Sequence, residues 1–241
     1  MFKYINLIMF KSNRLLDKTF LKFVEGKTIA VVGPSKSIIG NGKGSYIDLQ
    51  DIVVRFSYMF PLSGDLKKDV GEKTDFLYHC FGKRNESEKQ AINKLYNLDN
   101  VKNLKCIVTK ENLWAGPPDA NHIRNDVIKS NNLPNYIIPY KYVLSLKNKY
   151  KIDSPNLGLV ALDHLLALNP KSLYLTGFTV HKDGYYKGYN DNHPNFWING
   201  KIPDNIGCHN IEQQRLMLKS LYNKNKKIML IDDNLNKILS I

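Results

Sequence analysis

Short runs of β-branched and aliphatic residues alternate with amphipathic segments along most of this 241-residue sequence. The runs predict seven strands, at Thr28–Val32, Ile52–Phe56, 74–79, 104–109, 136–138, Ser172–Thr176 and 227–231. Between them, apolar residues recur at helical spacing over 86–96, Tyr140–Tyr150, 157–168 and 211–222. Apolar strands that alternate with helices form a mostly parallel sheet covered on both faces. The pattern therefore predicts an α/β fold whose ligand site lies beyond the carboxyl ends of the strands.

The amino-acid composition is that of one globular domain. Hydrophobic residues make up 43% of the chain and charged residues 24%, and no linker, repeat or low-complexity stretch divides it. The three cysteines, Cys80, Cys106 and Cys208, are widely spaced, so neither a disulfide framework nor a structural zinc site is predicted. We divide the chain into an N-terminal helical segment, residues 1–26, and one domain, residues 27–241.

The N-terminal segment predicts a helix without a membrane span or a signal peptide. Its longest uncharged run, residues 4–10, is far shorter than the roughly 20 residues that cross a bilayer, and no small-residue cleavage site is present. One interpretation is a helix packed on the domain. The other is a basic amphipathic helix lying on an anionic membrane. Together with the cysteine pattern, this predicts a cytoplasmic protein, peripheral on the inner face of a membrane in the second case.

The charge balance predicts an anionic partner. Lysine and arginine number 35 against 22 aspartates and glutamates, which gives a net charge of +13. Such an excess suits a nucleotide, an acidic glycan, a membrane surface or a nucleic acid. Nucleic acid is the least favoured of these, because the sequence contains no recognisable nucleic-acid-binding module.

A glycine-rich loop, residues 33–45, follows the first predicted strand. Its sequence, GPSKSIIGNGKGS, contains four glycines and three serines. The backbone N–H groups of such a loop can approach an anion closely, so phosphate binding is one prediction. A tight strand-to-helix turn is the other. Ser37 and Gly44 break the P-loop spacing, and Ser45 breaks the dinucleotide-binding one.

Four segments of the chain, in order, resemble the motifs of glycosyltransferase family 29, the sialyltransferases and their bacterial and viral relatives. The string from AVVGPS through VRF, DVG and KT resembles the large sialyl motif, and SPNLGLVALDHLLALNPKSLYLTGF resembles the small one. GYYKGYND falls at the third motif, and His209 in HNIEQQRLMLKSL takes the place of the very small motif's histidine. Without the family's membrane anchor and disulfide cysteines, the chain is more similar to the bacterial or viral members.

The resemblance implies an inverting transferase that moves sialic acid, or a related ulosonic acid such as Kdo, from CMP to a glycan hydroxyl. CMP-sialic acid or CMP-Kdo and a glycan acceptor would be its partners. It also implies a single Rossmann-like domain of the A-type glycosyltransferase variant, with no cofactor and no metal ion. In agreement, no two aspartates have the D-x-D spacing of metal-dependent transferases. The alternative is a non-catalytic protein that keeps the fold and binds CMP or a glycan.

One titratable side chain receives a catalytic role from this resemblance. His209 is the candidate general base, at a predicted helix N-terminus whose dipole disfavours imidazolium. A surface histidine that caps the helix is the alternative. The family pattern has a glutamate five residues later, where this chain has Gln214. We interpret Arg55, Asp69 and Asp75 as structural charges that pair with one another.

The resemblance also implies a set of donor contacts, although the family's asparagines at positions 34 and 57 are here a proline and a serine. The implied CMP-binding residues are Gly33, Pro34, Ser35, Ser37, Ser57, Asn156, Gly158, Gly177, Phe178, Thr179 and Tyr189. Lys187, His193 and Trp197 are candidate phosphate or acceptor contacts. The alternatives are a helix N-cap at Asn156, a strand-end turn at Gly177 and, over 185–197, a loop whose aromatic rings pack onto the domain.

Overall fold

The computed structural model describes residues 18–59, 64–81, 93, 103–111, 134–187, 189, 205–206 and 209–240. Its strands are β1 (Thr28–Val32), β2 (Ile52–Phe56), β3 (Phe76–Tyr78), β4 (Cys106–Lys110), β5 (Asn135–Ile138), β6 (Ser172–Thr176), β7 (Asn205–Ile206), β8 (His209–Asn210) and β9 (Met229–Ile231). All seven predicted strands are present, with ends that differ from the predicted ones by at most two residues.

Seven of these strands form one sheet, in the order β5-β4-β3-β2-β1-β6-β9. Every neighbouring pair in it is parallel. The short strands β7 and β8 form a separate antiparallel pair. Because the chain order reverses on either side of β1, a crevice is expected where the loops after β1 and β6 separate. The α/β fold with a seven-stranded parallel sheet confirms the predicted fold class.

Seven α-helices accompany the sheet in the described part of the chain: α1 (Lys18–Val24), α2 (Gly44–Asp48), α3 (Lys67–Val70), α4 (Tyr140–Tyr150), α5 (Leu157–Leu166), α6 (Ile211–Asn225) and α7 (Asp233–Leu239). The predicted helix over 140–150 is confirmed. The helix predicted over 157–168 ends earlier, at Leu166, and the one over 211–222 continues to Asn225. The predicted helix over 86–96 lies outside the described residues.

The two faces of the sheet carry two separate core layers, because side chains alternate along each strand. Ile29 and Val31 of β1 point to the layer that contains Leu162 of α5 and Leu218 of α6. Ala30 and Val32 point to the other layer, where Ile47, Tyr174, Tyr186 and Tyr189 are found. Both layers are therefore held by the same central strand.

Helix α1 packs against the first of these layers. Phe20 is 3% exposed, and its ring centroid lies 5.1 Å from that of Phe76 and 4.8 Å from that of Tyr136. For residues 18–24, the helix packed on the domain is thus the correct interpretation, while residues 1–17 lie outside the described part. None of the described helices combines the length and apolar character that crossing a membrane requires.

A fully buried histidine links α1, α5 and the sheet. The ring of His164 stacks on Phe20 at 5.3 Å and on Tyr136 at 5.2 Å, and its Nδ1 lies 3.1 Å from the hydroxyl of Tyr78. Burial lowers the pKa of His164 to about 3 from its ordinary value of 6.5. The unfolded chain therefore binds a proton between these two values that the folded chain does not bind, so stability decreases as the pH falls below about 6.5.

We expect the free energy of unfolding to decrease between pH 7 and pH 5, with His164 contributing about 2 kcal/mol of the loss. The variant His164→Phe keeps an aromatic ring in the stack and removes the titration, so its stability should depend less steeply on pH. Urea denaturation at several pH values measures both slopes. Equal slopes for the variant and the wild type would contradict the assignment. His79, whose pKa burial lowers to about 4, should account for part of the remaining slope.

Candidate active site

Two glycines touch where the loops after β1 and β6 cross. The N–H of Gly33 donates to the carbonyl oxygen of Thr176 at 2.8 Å, and the N–H of Ser35 donates to that of Gly177 at 3.1 Å. A Cβ on Gly33 would overlap the carbonyl oxygen of Gly177, and a Cβ on Gly177 would overlap that of Gly33. Gly177 also has a φ of +68°. The strand-end turn, which was the alternative at Gly177, is therefore present, and the loops after β1 and β6 touch there.

The ring of Phe178 fills the space beside this crossing. A Cβ on Gly33 would lie 2.6 Å from Cδ2 of Phe178, and a Cβ on Gly158 would lie 2.6 Å from its Cε1. The ring meets Phe56, at the end of β2, edge to face at 5.5 Å. Ser57 follows directly, is 7% exposed and has a φ of 40°. The structure thus brings Gly33, Gly158, Phe178 and Ser57, four of the predicted donor contacts, to one place.

Asn156 begins helix α5 beside Phe178. Its side-chain oxygen accepts from the N–H of Leu159 at 2.9 Å, so the predicted alternative of a helix N-cap is correct. Its own N–H donates to Oε1 of Gln214 at 2.9 Å. The positive end of the α5 dipole therefore faces the region where the predicted donor contacts meet.

His209 lies in β8 and is bound through one ring nitrogen to the segment that precedes α5. Its Nδ1 is 2.8 Å from the carbonyl oxygen of Ser154. A carbonyl oxygen can only accept, so Nδ1 carries the proton, and in the neutral ring Nε2 keeps its lone pair. His209 was predicted to open the helix that follows it, and this prediction is off by one residue. Asn210 is the N-cap of α6 and accepts from the N–H of Gln213 at 2.9 Å, so His209 precedes the cap.

Gln214 links this histidine to the start of α5. Its side chain is fully buried, its Nε2 donates to the carbonyl oxygen of Ser154 at 2.9 Å, and its Oε1 accepts from Asn156. The family pattern alone gave this position no role, because the residue differs from the glutamate of the pattern. One sequence signal does mark it. Gln214 is a polar residue on the apolar side of α6, in line with Ile211 and Leu218.

From residue 33 to residue 43, the N–H groups of the glycine-rich loop are already used inside the protein. The N–H groups of Gly40 and Gly42 each donate to the carboxylate of Asp69 at 2.8 Å. The other N–H groups from residue 33 to residue 43 donate to backbone or side-chain oxygens, and Pro34 has none. In this arrangement the loop is the tight turn of the second interpretation. Any contact from residues 33–43 to a CMP-sugar would therefore come from their side chains.

Two hydroxyls of this loop, on Ser35 and Ser37, form a cluster with the hydroxyl of Thr179, and all three residues were predicted as donor contacts. Oγ of Ser35 lies 3.0 Å from Oγ of Ser37 and accepts from Oγ1 of Thr179 at 3.2 Å. Ser35 and Thr179 are buried. Ser37 instead lines a cleft of about 490 Å³ that also contains Tyr174 and Asp232. Because Tyr174 belongs to the core layer on the face opposite α6, this cleft is separate from the residues around His209.

The third-motif residues are found mainly in the core. The carbonyl oxygen of Pro34 accepts from the N–H of Tyr186 at 3.1 Å, and the ring of Tyr189 lies 4.8 Å from that of Tyr185. Tyr186 and Tyr189 are 5% and 8% exposed, so the described rings pack onto the domain as the alternative had it. Lys187 is exposed. His193 and Trp197 lie outside the described residues.

Arg55 is a buried cation in β2, two residues before Ser57. Its NH2 donates to the carbonyl oxygen of Val70 at 2.6 Å, and its Nε lies 3.0 Å from oxygens of Lys73 and Thr74. Burial lowers the pKa of Arg55 to about 10, so it stays charged at neutral pH. The expected pairing with aspartates was wrong, because Arg55 binds carbonyl and hydroxyl oxygens while Asp69 binds the glycine-rich loop.

Sequence comparison assigns the chain to a family. The profile of glycosyltransferase family 29 (sialyltransferase) matches residues 3–226, so the chain belongs to this family and is a glycosyltransferase. A comparison with curated proteins gives no match. The predictions of the family and of the enzyme class are confirmed.

Solved structures with a similar fold include two of sialyltransferases. A crystal structure of a mammalian sialyltransferase aligns with a TM-score of 0.56 at 15% identity, covering 90% of this chain and 72% of the other. A mammalian sialyltransferase in complex with Gal-beta-1-3GalNAc-ortho-nitrophenol aligns with a TM-score of 0.54 at 14% identity, covering 88% and 71%. At these identities the likeness establishes the fold. The individual site residues remain predictions.

We expect Gly177→Ala to destabilise the protein much more than Gly26→Ala. The two glycines have nearly the same φ, +68° and +69°, but a Cβ on Gly26 would meet nothing within 4 Å. The variant at Gly26 should therefore lose only about 1 kcal/mol for the left-handed backbone. The variant at Gly177 must also separate the crossing loops and should lose several times as much. Urea denaturation measures both losses, and equal values would show that the crossing tolerates a side chain.

Proposed function

We propose that the protein transfers sialic acid, or a related ulosonic acid such as Kdo, from CMP to a glycan hydroxyl, with His209 as the general base. The observation that carries the proposal is the 2.8 Å contact between Nδ1 of His209 and the carbonyl oxygen of Ser154. It leaves the unprotonated nitrogen of a neutral ring on the side away from Ser154, which is what a general base requires.

The reaction is a single displacement at the anomeric carbon. The acceptor oxygen attacks from the face opposite CMP, and its proton passes to Nε2 of His209. The bond between the anomeric carbon and the phosphate oxygen breaks, CMP leaves with the electron pair, and the configuration inverts. The positive charge that develops on the imidazole ring of His209 is stabilised by the hydrogen bond from its Nδ1–H to the carbonyl oxygen of Ser154.

The surroundings of Phe178 support donor binding at the carboxyl ends of β1, β2 and β6. Gly33, Gly158, Gly177 and the ring of Phe178 pack closely against one another there, and Ser57, next to Phe56, offers a hydroxyl. The dipole of α5 favours an anionic ligand there. A CMP-linked acidic sugar carries that charge on its phosphate and its carboxylate.

Three further properties belong to the same proposal. The reaction needs no metal ion, since the sequence lacks a D-x-D pair and a phosphate monoester can be stabilised by hydrogen-bond donors. In the described part of the chain, no three His, Cys, Asp or Glu side chains are gathered as a metal site would need. The enzyme works in the cytoplasm, and the +13 charge serves the acidic donor and an anionic glycan or membrane surface nearby. Unchanged activity in excess EDTA tests the first property.

We expect His209→Ala to lower kcat by about 10²-fold to 10⁴-fold, because the general base is lost. The assay follows CMP release from CMP-sialic acid and from CMP-Kdo with a panel of glycan acceptors, and the faster donor identifies the sugar class. Lys187→Ala, which changes an exposed side chain of the third motif, tests a candidate phosphate contact in parallel and should raise the donor KM. Unchanged kcat in His209→Ala would refute the base assignment.

A non-catalytic CMP-binding or glycan-binding protein is the second candidate. It is favoured by the differences from the family pattern at positions 34, 57, 157, 188 and 214, and by the internal use of the N–H groups of the glycine-rich loop. Calorimetry with CMP separates the two candidates. Binding without turnover of either CMP-sugar supports a binding protein, whereas turnover excludes it.

A further inference from the structure

We propose that Gln214 is a positioning residue that fixes the tautomer of His209 and sets the place of this ring relative to the start of α5. The inference rests on the proposed function in that His209 is taken as the base. Its structural part, the control of the tautomer, can be measured without turnover.

Both polar atoms of the Gln214 side-chain amide form hydrogen bonds. The Nε2 of Gln214 donates to the carbonyl oxygen of Ser154 at 2.9 Å, and its Oε1 accepts from the N–H of Asn156 at 2.9 Å. The side chain is 0% exposed, so both polar atoms of the amide are shielded from water. Gln214 therefore holds residues 154 to 156 at two points, one on each side of Pro155.

The carbonyl oxygen of Ser154 is shared between Gln214 and His209. It accepts from Nε2 of Gln214 at 2.9 Å and lies 2.8 Å from Nδ1 of His209. A carbonyl oxygen has two lone pairs, so it can accept from both donors at once. With the oxygen held in place by the amide, only the Nδ1–H tautomer of His209 satisfies the contact. The other tautomer would set two lone pairs against each other.

An amide is the side chain that suits this position. A carboxylate can accept from the N–H of Asn156 but has no proton to donate to Ser154. An apolar side chain of the same length leaves the N–H of Asn156 and the Ser154 oxygen without this partner in a buried place, at a free-energy cost. The glutamine at position 214 is thus explained by geometry, although it departs from the family pattern.

The same contact connects the base to the donor side of the site. Asn156 is the N-cap of α5, and two residues later Gly158 lies against the ring of Phe178. A shift of the segment that Gln214 holds would therefore move the base and the donor contacts apart. Displacements of this kind are costly, since a misplacement of about 1 Å can reduce a rate about 10²-fold.

Two substitutions separate the two ends of the amide. Gln214→Glu keeps the shape and the bond from Asn156 but loses the donor to Ser154. Gln214→Met loses both bonds. We expect both variants to lower kcat about tenfold or more. Only Gln214→Met should also weaken CMP binding, because it alone releases Asn156 at the start of α5.

The decisive readout is the tautomer of His209, measured by ¹⁵N NMR of the imidazole ring in the full-length protein at a pH where the ring is neutral. We expect the wild type to show the Nδ1–H form. In both variants the population of the Nε2–H form should rise, because the carbonyl oxygen of Ser154 is no longer fixed. His209→Ala identifies the ring signals by their loss.

Two control variants separate positioning from general destabilisation. Leu221→Ala removes a buried apolar side chain two turns further along α6 and should lower stability without changing the tautomer. Gln50→Met removes a remote amide-to-carbonyl bond, 2.9 Å to Tyr46, and should change neither kcat nor the tautomer. Equal loss of kcat in Leu221→Ala and Gln214→Glu at matched folded fraction would overturn the proposal.

The proposal would also be overturned if Gln214→Glu kept both the Nδ1–H population and the kcat of the wild type. If Gln214→Met does not fold, Gln214→Glu decides alone. Should the wild type turn over neither donor, the proposed function fails while the tautomer measurement still tests Gln214. Should His209→Ala retain kcat, the base assignment fails and the role of Gln214 reduces to holding the ring.

Discussion

The contact between Gly33 and Gly177 is the constraint on which the rest of the site depends. It allows the chain to leave two adjacent parallel strands, β1 and β6, with their backbones in contact. This brings Phe178 to the carboxyl ends of the strands. Asp232 holds this arrangement from the far side. Its Oδ2 accepts from the hydroxyl of Thr176 at 2.8 Å and from the N–H of Gly177 at 3.0 Å, while its Oδ1 caps α7. The crossing is thus tied to the last helix of the fold.

The fold was predictable because its signal is local. Each strand of the sheet is a compact run of β-branched and aliphatic residues, and α4 and α6 show the helical period plainly. The short helix α3 was not predicted, and α2 was predicted only as the helix to which a strand-to-helix turn leads. They are held mainly by tertiary contacts, as at Gly44, where a Cβ would overlap the carbonyl oxygen of Lys67, and such contacts leave no periodic pattern.

The site was predictable only in part, for the same reason. The glycines at 33, 158 and 177 and the ring of Phe178 meet as the motif order implied, because each is required where backbones approach closely. The partner of the glycine-rich loop is Asp69, 27 residues beyond Gly42, and the sequence contains no local sign of that pairing. Gln214 was missed because the motif pattern has a carboxylate at this position, and only the geometry shows both ends of its amide in use.

The bonds from Gly40 and Gly42 to Asp69 have a thermodynamic consequence for ligand binding. A glycine-rich segment that is unconstrained in the free protein must lose conformational entropy when a ligand orders it, and this weakens affinity. Here the loss has already occurred during folding, in exchange for two hydrogen bonds to a carboxylate. From residue 33 to residue 43 the loop therefore enters any binding equilibrium preorganised, with its side chains in fixed rather than adaptable positions.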